Sequence, residues 1–232
     1  VFGLGGWGLD LLHKFDPTTQ TVYFGDGSRR TWSSGPTRRD VLVRVAGNGA
    51  EGSEGDGGPA REAELTRPWG LFATKDGSLL IADTGNCSIR KVGRDGRIAT
   101  IAGTDCSDEN GTMLGDGGPA TLAHCRSPRK AVEAPDGTIY IADRGNRRIR
   151  RVDRDGRIWT AAELDSPGCQ GLPNDLDVDS AGNLYIALEN RLADAAWCGG
   201  IWKMGPGGSL NRFSTTAIGT AFFRGVDVLD DG

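Results

Sequence analysis

The side chains best suited to chemistry are few. A chain of 232 residues carries two histidines, His13 and His124, and five cysteines, Cys87, Cys106, Cys125, Cys169 and Cys198. His124 adjoins Cys125, yet no second pair follows at zinc-ligand spacing, so both read as loop residues. No Gly-x-Ser-x-Gly turn is present to expose a nucleophilic serine. The string Gly55-Asp56-Gly57-Gly58-Pro59, copied from Gly115, has the glycine content of a phosphate cradle. It lacks the following Lys and Ser or Thr that such a loop needs, because Pro and Ala come next. An ordered turn between structural units fits it better, and Asp56 and Asp116 would offer calcium only isolated carboxylates. Arg144, Arg147, Arg148, Arg150, Arg151, Arg154 and Arg157 form one basic concentration. Asp143, Asp153 and Asp155 interleave it and no aromatic residue stands among them to stack a base, which favours a solvated strand face over an RNA interface.

Composition says what must position such residues. With 37 Gly and 10 Pro, about a fifth of the chain is turn-forming against a usual eighth, which favours many short strands over long helices. The formal net charge of −4 supplies no overall attraction to nucleic acid or acidic lipid. No apolar run approaches the roughly 18 residues of a membrane span, and no basic-then-apolar leader opens the chain. Membrane insertion by this segment is not expected.

Repeats then organise the sequence. GDGGPA starts at Gly55 and Gly115, IAD at Ile81 and Ile141, and RDGRI at Arg94 and Arg154, each shifted by 60 residues. A weaker copy follows at a shift of 45, where Leu184 to Ala187 matches Ile139 to Ala142 and Trp202-Lys203-Met204 matches Arg150-Arg151-Val152. The missing residues fall where the GDGGPA loop is absent. A unit of about 45 residues with an optional loop suggests propeller blades. Within one unit the strands read Trp69 to Thr74, Ser78 to Ala82, Ser88 to Gly93 and Ile98 to Ala102, separated by Asp-Gly and Gly-Asn turns that suit tight hairpins. The expected fold is all-β, a propeller of four-stranded blades forming an incomplete ring with about four to five blades represented. Residues 1–46 read as a partial first blade, 47–103 and 104–162 as blades with a GDGGPA loop, 163–218 as a blade with a long insert, and 219–232 as the start of another.

In a blade, the loop entering the innermost strand and the turn between the second and third strands open on one face. The GDGGPA loops, all five cysteines and the insert from Leu188 to Gly200 belong to those two loop types, so binding is expected there. Aligning the starts of the innermost strands makes Trp69, Arg129, Asn174 and Arg224 equivalent, around the mouth of the central channel. Variable exposed strand starts would explain them. Two arginines and a Trp would equally suit an anionic or sugar-like ligand, through bidentate hydrogen bonds and stacking. The same placement brings Cys106 within reach of Cys125 and Cys169 within reach of Cys198. Cys87 would stay free or take Cys106 from the neighbouring blade, and five reduced thiols in a cytosolic protein are the alternative.

The Asp-Gly-Gly-Pro-Ala loops, Arg-Pro-Trp-Gly, Asp-Gly-Ser-Leu-Leu-Ile-Ala-Asp-Thr-Gly-Asn and Ile-Arg-Lys-Val closely resemble the NHL repeat of β-propellers, over roughly residues 41–213. Leu9 to Pro17 with Tyr23-Phe24-Gly25-Asp26-Gly27 looks like the start of the NHL propeller in teneurin-like and Rhs-type YD-repeat proteins. That resemblance implies a larger secreted or cell-surface protein with flanking domains, although no YD repeat lies in this chain. It also favours at least one disulfide. The implied role is a non-catalytic binding or adhesion scaffold without a cofactor, taking a protein or carbohydrate ligand. A rival resemblance lies in Pro173 to Asp179, which is similar to the Asn-Asp segment of calcium-dependent gluconolactonase-like hydrolases. There Asn174 would help hold calcium and polarise a lactone or ester carbonyl. Arg129 and Arg224 at the flanking positions would repel that ion. Some cytosolic NHL propellers bind RNA, which makes the arginine run a third reading.

Overall fold

A left-handed glycine closes the same hairpin in three successive units: Gly77, Gly137 and Gly182 have φ of 84°, 83° and 81°. Only a residue without Cβ takes that conformation freely. The acidic residue nearby completes each turn, with Asp76 Oδ1 accepting from Ser78 N at 2.9 Å, Asp136 Oδ1 from Thr138 N at 2.9 Å and Asp179 Oδ1 from Asn183 N at 2.7 Å. Thr74 donates a further hydrogen bond to Asp76, and these bonds hold its carboxyl down at about 2.

The computed structural model describes residues 12–16, 21–24, 28–31, 43–107, 114–166, 169–190, 199–213 and 225–228, those before residue 44 by their backbone alone. Four antiparallel sheets follow in chain order. The first holds β1 (Leu12–Asp16), β2 (Thr21–Phe24), β3 (Ser28–Thr31) and β4 (Val43–Arg44). Residues 1–46, read as a partial blade, thus contain four strands, the last only two residues long. The second holds β5 (Leu71–Ala73), β6 (Leu79–Asp83), β7 (Ser88–Val92) and β8 (Ile98–Ala102). The third holds β9 (Pro128–Glu133), β10 (Ile139–Asp143), β11 (Arg148–Val152) and β12 (Ile158–Glu163). In the fourth, β13 (Asp165–Ser166) folds back on β14 (Cys169–Val178), which pairs on through β15 (Leu184–Asn190), β16 (Gly200–Met204) and β17 (Leu210–Arg212). Apart from three short 3-10 turns, the described residues contain no helix, and none long and apolar enough to cross a membrane.

Each sheet is a blade. One strand of each lies against its equivalent in the next, β1 on β5, β5 on β9 and β9 on β14, which is the inner ring of a propeller. Apolar residues between blades form the core. Ile81, Ile141 and Ile186, equivalent by the repeat, are all fully buried. One cluster runs without a break from Phe72 and Leu80 through Val132 and Ile149 to Leu176 and Met204.

The GDGGPA loops belong to this architecture as edge covers. Gly57 N donates to Ile98 O at 2.7 Å, Ile98 N to Gly58 O at 3.1 Å and Ala60 N to Gly96 O at 2.8 Å, so the loop pairs with the free edge of β8. Gly117, Gly118 and Ala120 repeat the three bonds on Ile158 and Gly156 at 2.8, 3.0 and 2.8 Å. An outermost strand would otherwise offer its N–H and C=O groups to any passing chain.

Candidate binding face

The mouth residues owe their position to a bulge. Trp69 N donates to Ala82 O at 3.0 Å and Ala82 N donates to Gly70 O at 2.8 Å, so two residues of the inner strand oppose one of its partner. The same irregularity falls between Ile141 and Asp143 in the third blade and between Pro173 and Asp175 in the fourth. A proline precedes each, Pro68, Pro128 and Pro173. Bulges re-aim side chains, and here they turn Trp69, Arg129 and Asn174 out of the regular ladder.

Of these, Trp69 and Arg129 come together. The guanidinium carbon of Arg129 lies 3.6 Å from the centroid of the Trp69 ring, a cation–π contact between neighbouring blades, and Trp69 remains 40% exposed. Asn174 is held elsewhere. Arg144 Nε donates to Asn174 Oδ1 at 2.8 Å, Asn174 Nδ2 donates to Glu189 Oε2 at 2.9 Å, and Arg144 closes the triangle on Glu189 at 3.1 Å. Arg224 lies outside the described residues. The calcium-site reading of Asn174 therefore meets a guanidinium bonded to the oxygen that would face the ion, and the residues present do not fit it.

One layer below the mouth, the inner strands approach closely. A Cβ on Gly70 would stand 2.1 Å from Arg129 O. Lys130 Nζ reaches Asp175 Oδ1 at 3.3 Å across the next junction. Beyond it, Val226 N donates to Asp175 Oδ2 at 3.0 Å and Val228 N to Asp177 Oδ2 at 2.7 Å. Burial, with the Asp227 carboxyl beside it, pushes Asp177 up to about 6 despite those hydrogen bonds.

Behind this face the second and third blades each bury an arginine. Arg90 and Arg150 are fully buried. Arg90 reaches Asp56 of the loop at 2.7 Å and Asp83 at 3.4 Å; Arg150 reaches Asp116 at 2.6 Å and Asp143 at 3.4 Å. Asp83 and Asp143 are raised by burial, although Asn86 and Asn146, the Thr66 and Arg126 N–H groups and the arginines all favour their charged forms. Burial opposes ionisation of Asp56 too, but the Thr100 N–H and Arg90 hold it below the usual carboxylate range. Arg150 thus corrects the reading of the arginine run as one solvated face. Its neighbours also scatter, with Arg144 on Asn174 and Glu189, Arg147 on Asp165 at 2.8 Å, Arg148 on Glu163 at 3.3 Å and Arg157 on Gly117 O at 2.6 Å. The signal that would have found the buried cluster was present: the shift of 60 superposes Asp56, Asp83 and Arg90 on Asp116, Asp143 and Arg150 together.

The cysteines need one correction. Cys106 bonds Cys87, with sulfurs 2.07 Å apart, and the expected partner Cys125 is free and buried. Cys87 stands at φ 55° just after the 3-10 turn Thr84–Asn86, on the same face as the loop leaving β8. Cys125 instead fills the slot that Leu65 fills one repeat earlier and belongs to the core, where burial drives its thiol pKa up and keeps it protonated. Bracketing a loop in sequence says nothing about depth, and depth separates these two sulfurs. Cys198 and the side chain of Cys169 lie outside the described residues.

Residues 87–153 match the Teneurin NHL domain. The chain is 40% identical over 93 residues to Teneurin-1 of Homo sapiens, which covers 36% of this chain and 3% of that protein. It is 34% identical over 165 residues to Teneurin-m of Drosophila melanogaster, covering 69% of this chain and 5% of that protein. The chain therefore spans a small part of the relatives it matches. Among solved structures, virginiamycin B lyase from Staphylococcus aureus superposes with a TM-score of 0.56 at 15% identity, over 91% of this chain and 58% of that one. A Bacteroides thetaiotaomicron protein of unknown function gives 0.53 at 20% identity, over 82% and 45%. At such identities the likeness is one of fold.

Proposed function

We propose that this NHL propeller domain, which resembles that of the teneurins, is a non-catalytic binding module of a larger extracellular or cell-surface protein. Its ligand, a protein or a carbohydrate, docks on the face where the inner strands begin. The observation that carries this reading is the exposed Trp69 ring with the Arg129 guanidinium laid on it at 3.6 Å. A flat apolar surface beside N–H donors is what an anionic group with an apolar body can use. The tie of Asn174 to Arg144 and Glu189 supports a recognition role over a metal-dependent one. The Cys87–Cys106 bond supports an oxidising compartment.

The test presents the chain, multimerised on beads, to cells and to an array of neutral and acidic glycans. Saturable binding that falls tenfold or more in Trp69→Ala and Arg129→Glu, with the circular dichroism spectrum unchanged, is the expected result. Lactone hydrolysis that needs calcium and disappears in Asn174→Ala would replace this reading with the hydrolase. Salt-dependent RNA affinity lost on replacing Arg147, Arg148 and Arg151 would replace it with RNA binding.

A further inference from the structure

The fourth blade ends differently from the two before it. In the second and third, Ile98 and Ile158 turn their N–H and C=O groups outward and the GDGGPA loop pairs with both. The equivalent residue in the fourth blade is Leu210. The turn before it is the same: Gly205 N bonds Ser209 O at 3.3 Å, as Gly93 N bonds Arg97 O at 2.8 Å, and Gly208 has φ 81° where Gly96 has 77°. The Leu210 main chain therefore points outward as well. No GDGGPA loop precedes this blade in the sequence, and no described residue pairs with that edge.

A cleft of about 250 Å³ lies beside the edge, lined by Lys203, Gly205, Ser209, Asn211, Arg212 and Phe213. Phe213 is 61% exposed and meets the Tyr185 ring edge-on at 5.4 Å, with Lys203 5.0 Å from the same ring. Arg212 replaces Thr100, whose N–H binds the loop carboxylate of Asp56 at 2.9 Å in the second blade. The cation has thus moved. Where Arg90 receives the loop aspartate from β7, the fourth blade has Trp202 at that position and the arginine on β17. One Nη of Arg212 donates to Gly199 O at 3.2 Å, while its buried Nε has no hydrogen-bond partner among the described residues.

We propose that the outer edge of the fourth blade is a docking site for an extended, glycine-containing acidic segment of a partner protein. The segment adds to β17 as the GDGGPA loops add to β8 and β12, and its carboxylate meets Arg212 on the Trp202 face of the blade. Main-chain pairing supplies the register and the charge supplies selectivity, as in other strand additions. This surface is separate from the mouth carrying Trp69 and Arg129, so either site would survive failure of the other.

The probe is a fluorescein-labelled peptide with the sequence of residues 51–61, EGSEGDGGPAR, the stretch that lies on this edge in the second blade. Anisotropy against the whole chain is expected to show saturable binding below about 1 mM. Asn in place of the peptide aspartate, or Arg212→Ala in the chain, is expected to weaken it about tenfold or more. Nuclear magnetic resonance shifts should centre on Leu210 to Phe213. The peptide variant keeps the test decisive even if Arg212→Ala does not fold. Absence of saturable binding, equal binding of the Asn peptide, or shifts centred on β8 or β12 would overturn the proposal. Concentration-dependent self-association that covers Leu210 and excludes the peptide would overturn it in favour of a second copy.

Discussion

The second and third blades bury a cation where the fourth presents an indole. Arg90 and Arg150 align with Trp202, and the aspartates facing them, Asp83 and Asp143, align with Leu188, which is 2% exposed. The GDGGPA aspartate disappears from the fourth blade in the same step. Three changes at distant sequence positions thus occur as a set. A buried arginine between two carboxylates gains little over an apolar filling of similar volume, because desolvation offsets most of the attraction. Its partner outside the sheet supplies the reason to keep it: Asp56 and Asp116 belong to the loops that close the outer edges, and the arginine ties each loop to its sheet. Without a loop to hold, the fourth blade fills the space with apolar atoms.

The sharpest way to break that comparison is to remove one member of the set. Arg150→Leu leaves Asp143 buried beside no cation and should cost about 3–5 kcal/mol in urea unfolding. Copying the fourth blade further, with Arg150→Leu and Asp143→Leu together, should recover more than half of the loss, since no buried charge then remains. If the double variant is no more stable than the single one, the apolar filling of the fourth blade is not an equivalent solution.

A second contrast lies between the exit loops. Cys87 aligns with Arg147, so a covalent link to Cys106 in one blade stands where the next has an ion pair from Arg147 to Asp165 at 2.8 Å. The bridge spans a sequence separation of 19, worth about 3 kcal/mol by loop entropy. The ion pair is half exposed and worth at most about 1 kcal/mol. Cys87→Ser with Cys106→Ser should therefore lower the unfolding midpoint clearly more than Arg147→Ala. Equal effects would mean that the loop after β8 is ordered by other contacts.

These contrasts also mark how far the sequence could be read. Strings repeated at 60 and 45 residues carry three of the four blades and most of their strands, because hairpin turns need Asp-Gly whatever surrounds them. The same alignment made Trp69 and Arg129 equivalent, and their side chains meet across the junction between neighbouring blades. It did not reveal that Asn174 faces Arg144 and Glu189, since Arg144 reaches it from the adjoining blade and no spacing encodes that distance. Arg150 read as solvated because arginine is seldom fully buried without a partner, and its partner Asp116 is far away in the chain. Cys125 looked available because a cysteine in a core slot has the same letter as one in a loop.

Acid should expose a difference between inner-strand junctions. Lys130 meets Asp175 as a cation–carboxylate pair, whereas Asp177 meets the N–H of Val228 with Asp227 beside it. A carboxyl raised to about 6 from 3.8 binds its proton more tightly in the folded chain. Its contribution is complete below about pH 4 and is lost as pH rises through about 6. Asp177→Asn keeps an acceptor for Val228 and loses that proton linkage. The variant should exceed the parent at pH 7 by on the order of 2 kcal/mol, and the gap should close towards pH 4. A gap independent of pH would show that Asp177 is not linked to folding through its proton.

The smallest effect expected is at the mouth, and its smallness is informative. A cation–π contact at a surface as open as that of Trp69 contributes about 0.5–1 kcal/mol to stability, well below the buried Arg–Asp clusters. Trp69→Ala should barely shift the urea midpoint, and Arg129→Lys, which keeps the charge but loses the flat guanidinium, should shift it less still. Binding ought to respond in the opposite proportion, because the indole face and the planar donor edge are what a ligand meets. A loss of stability above about 2 kcal/mol in Trp69→Ala, with binding reduced only in step with unfolding, would return the pair to the blade-to-blade packing that Gly70 and Arg129 O share directly beneath it. A stable variant with weakened binding would separate two roles, buried arginines fastening loops to sheets and a half-buried one laid on the exposed Trp69 ring.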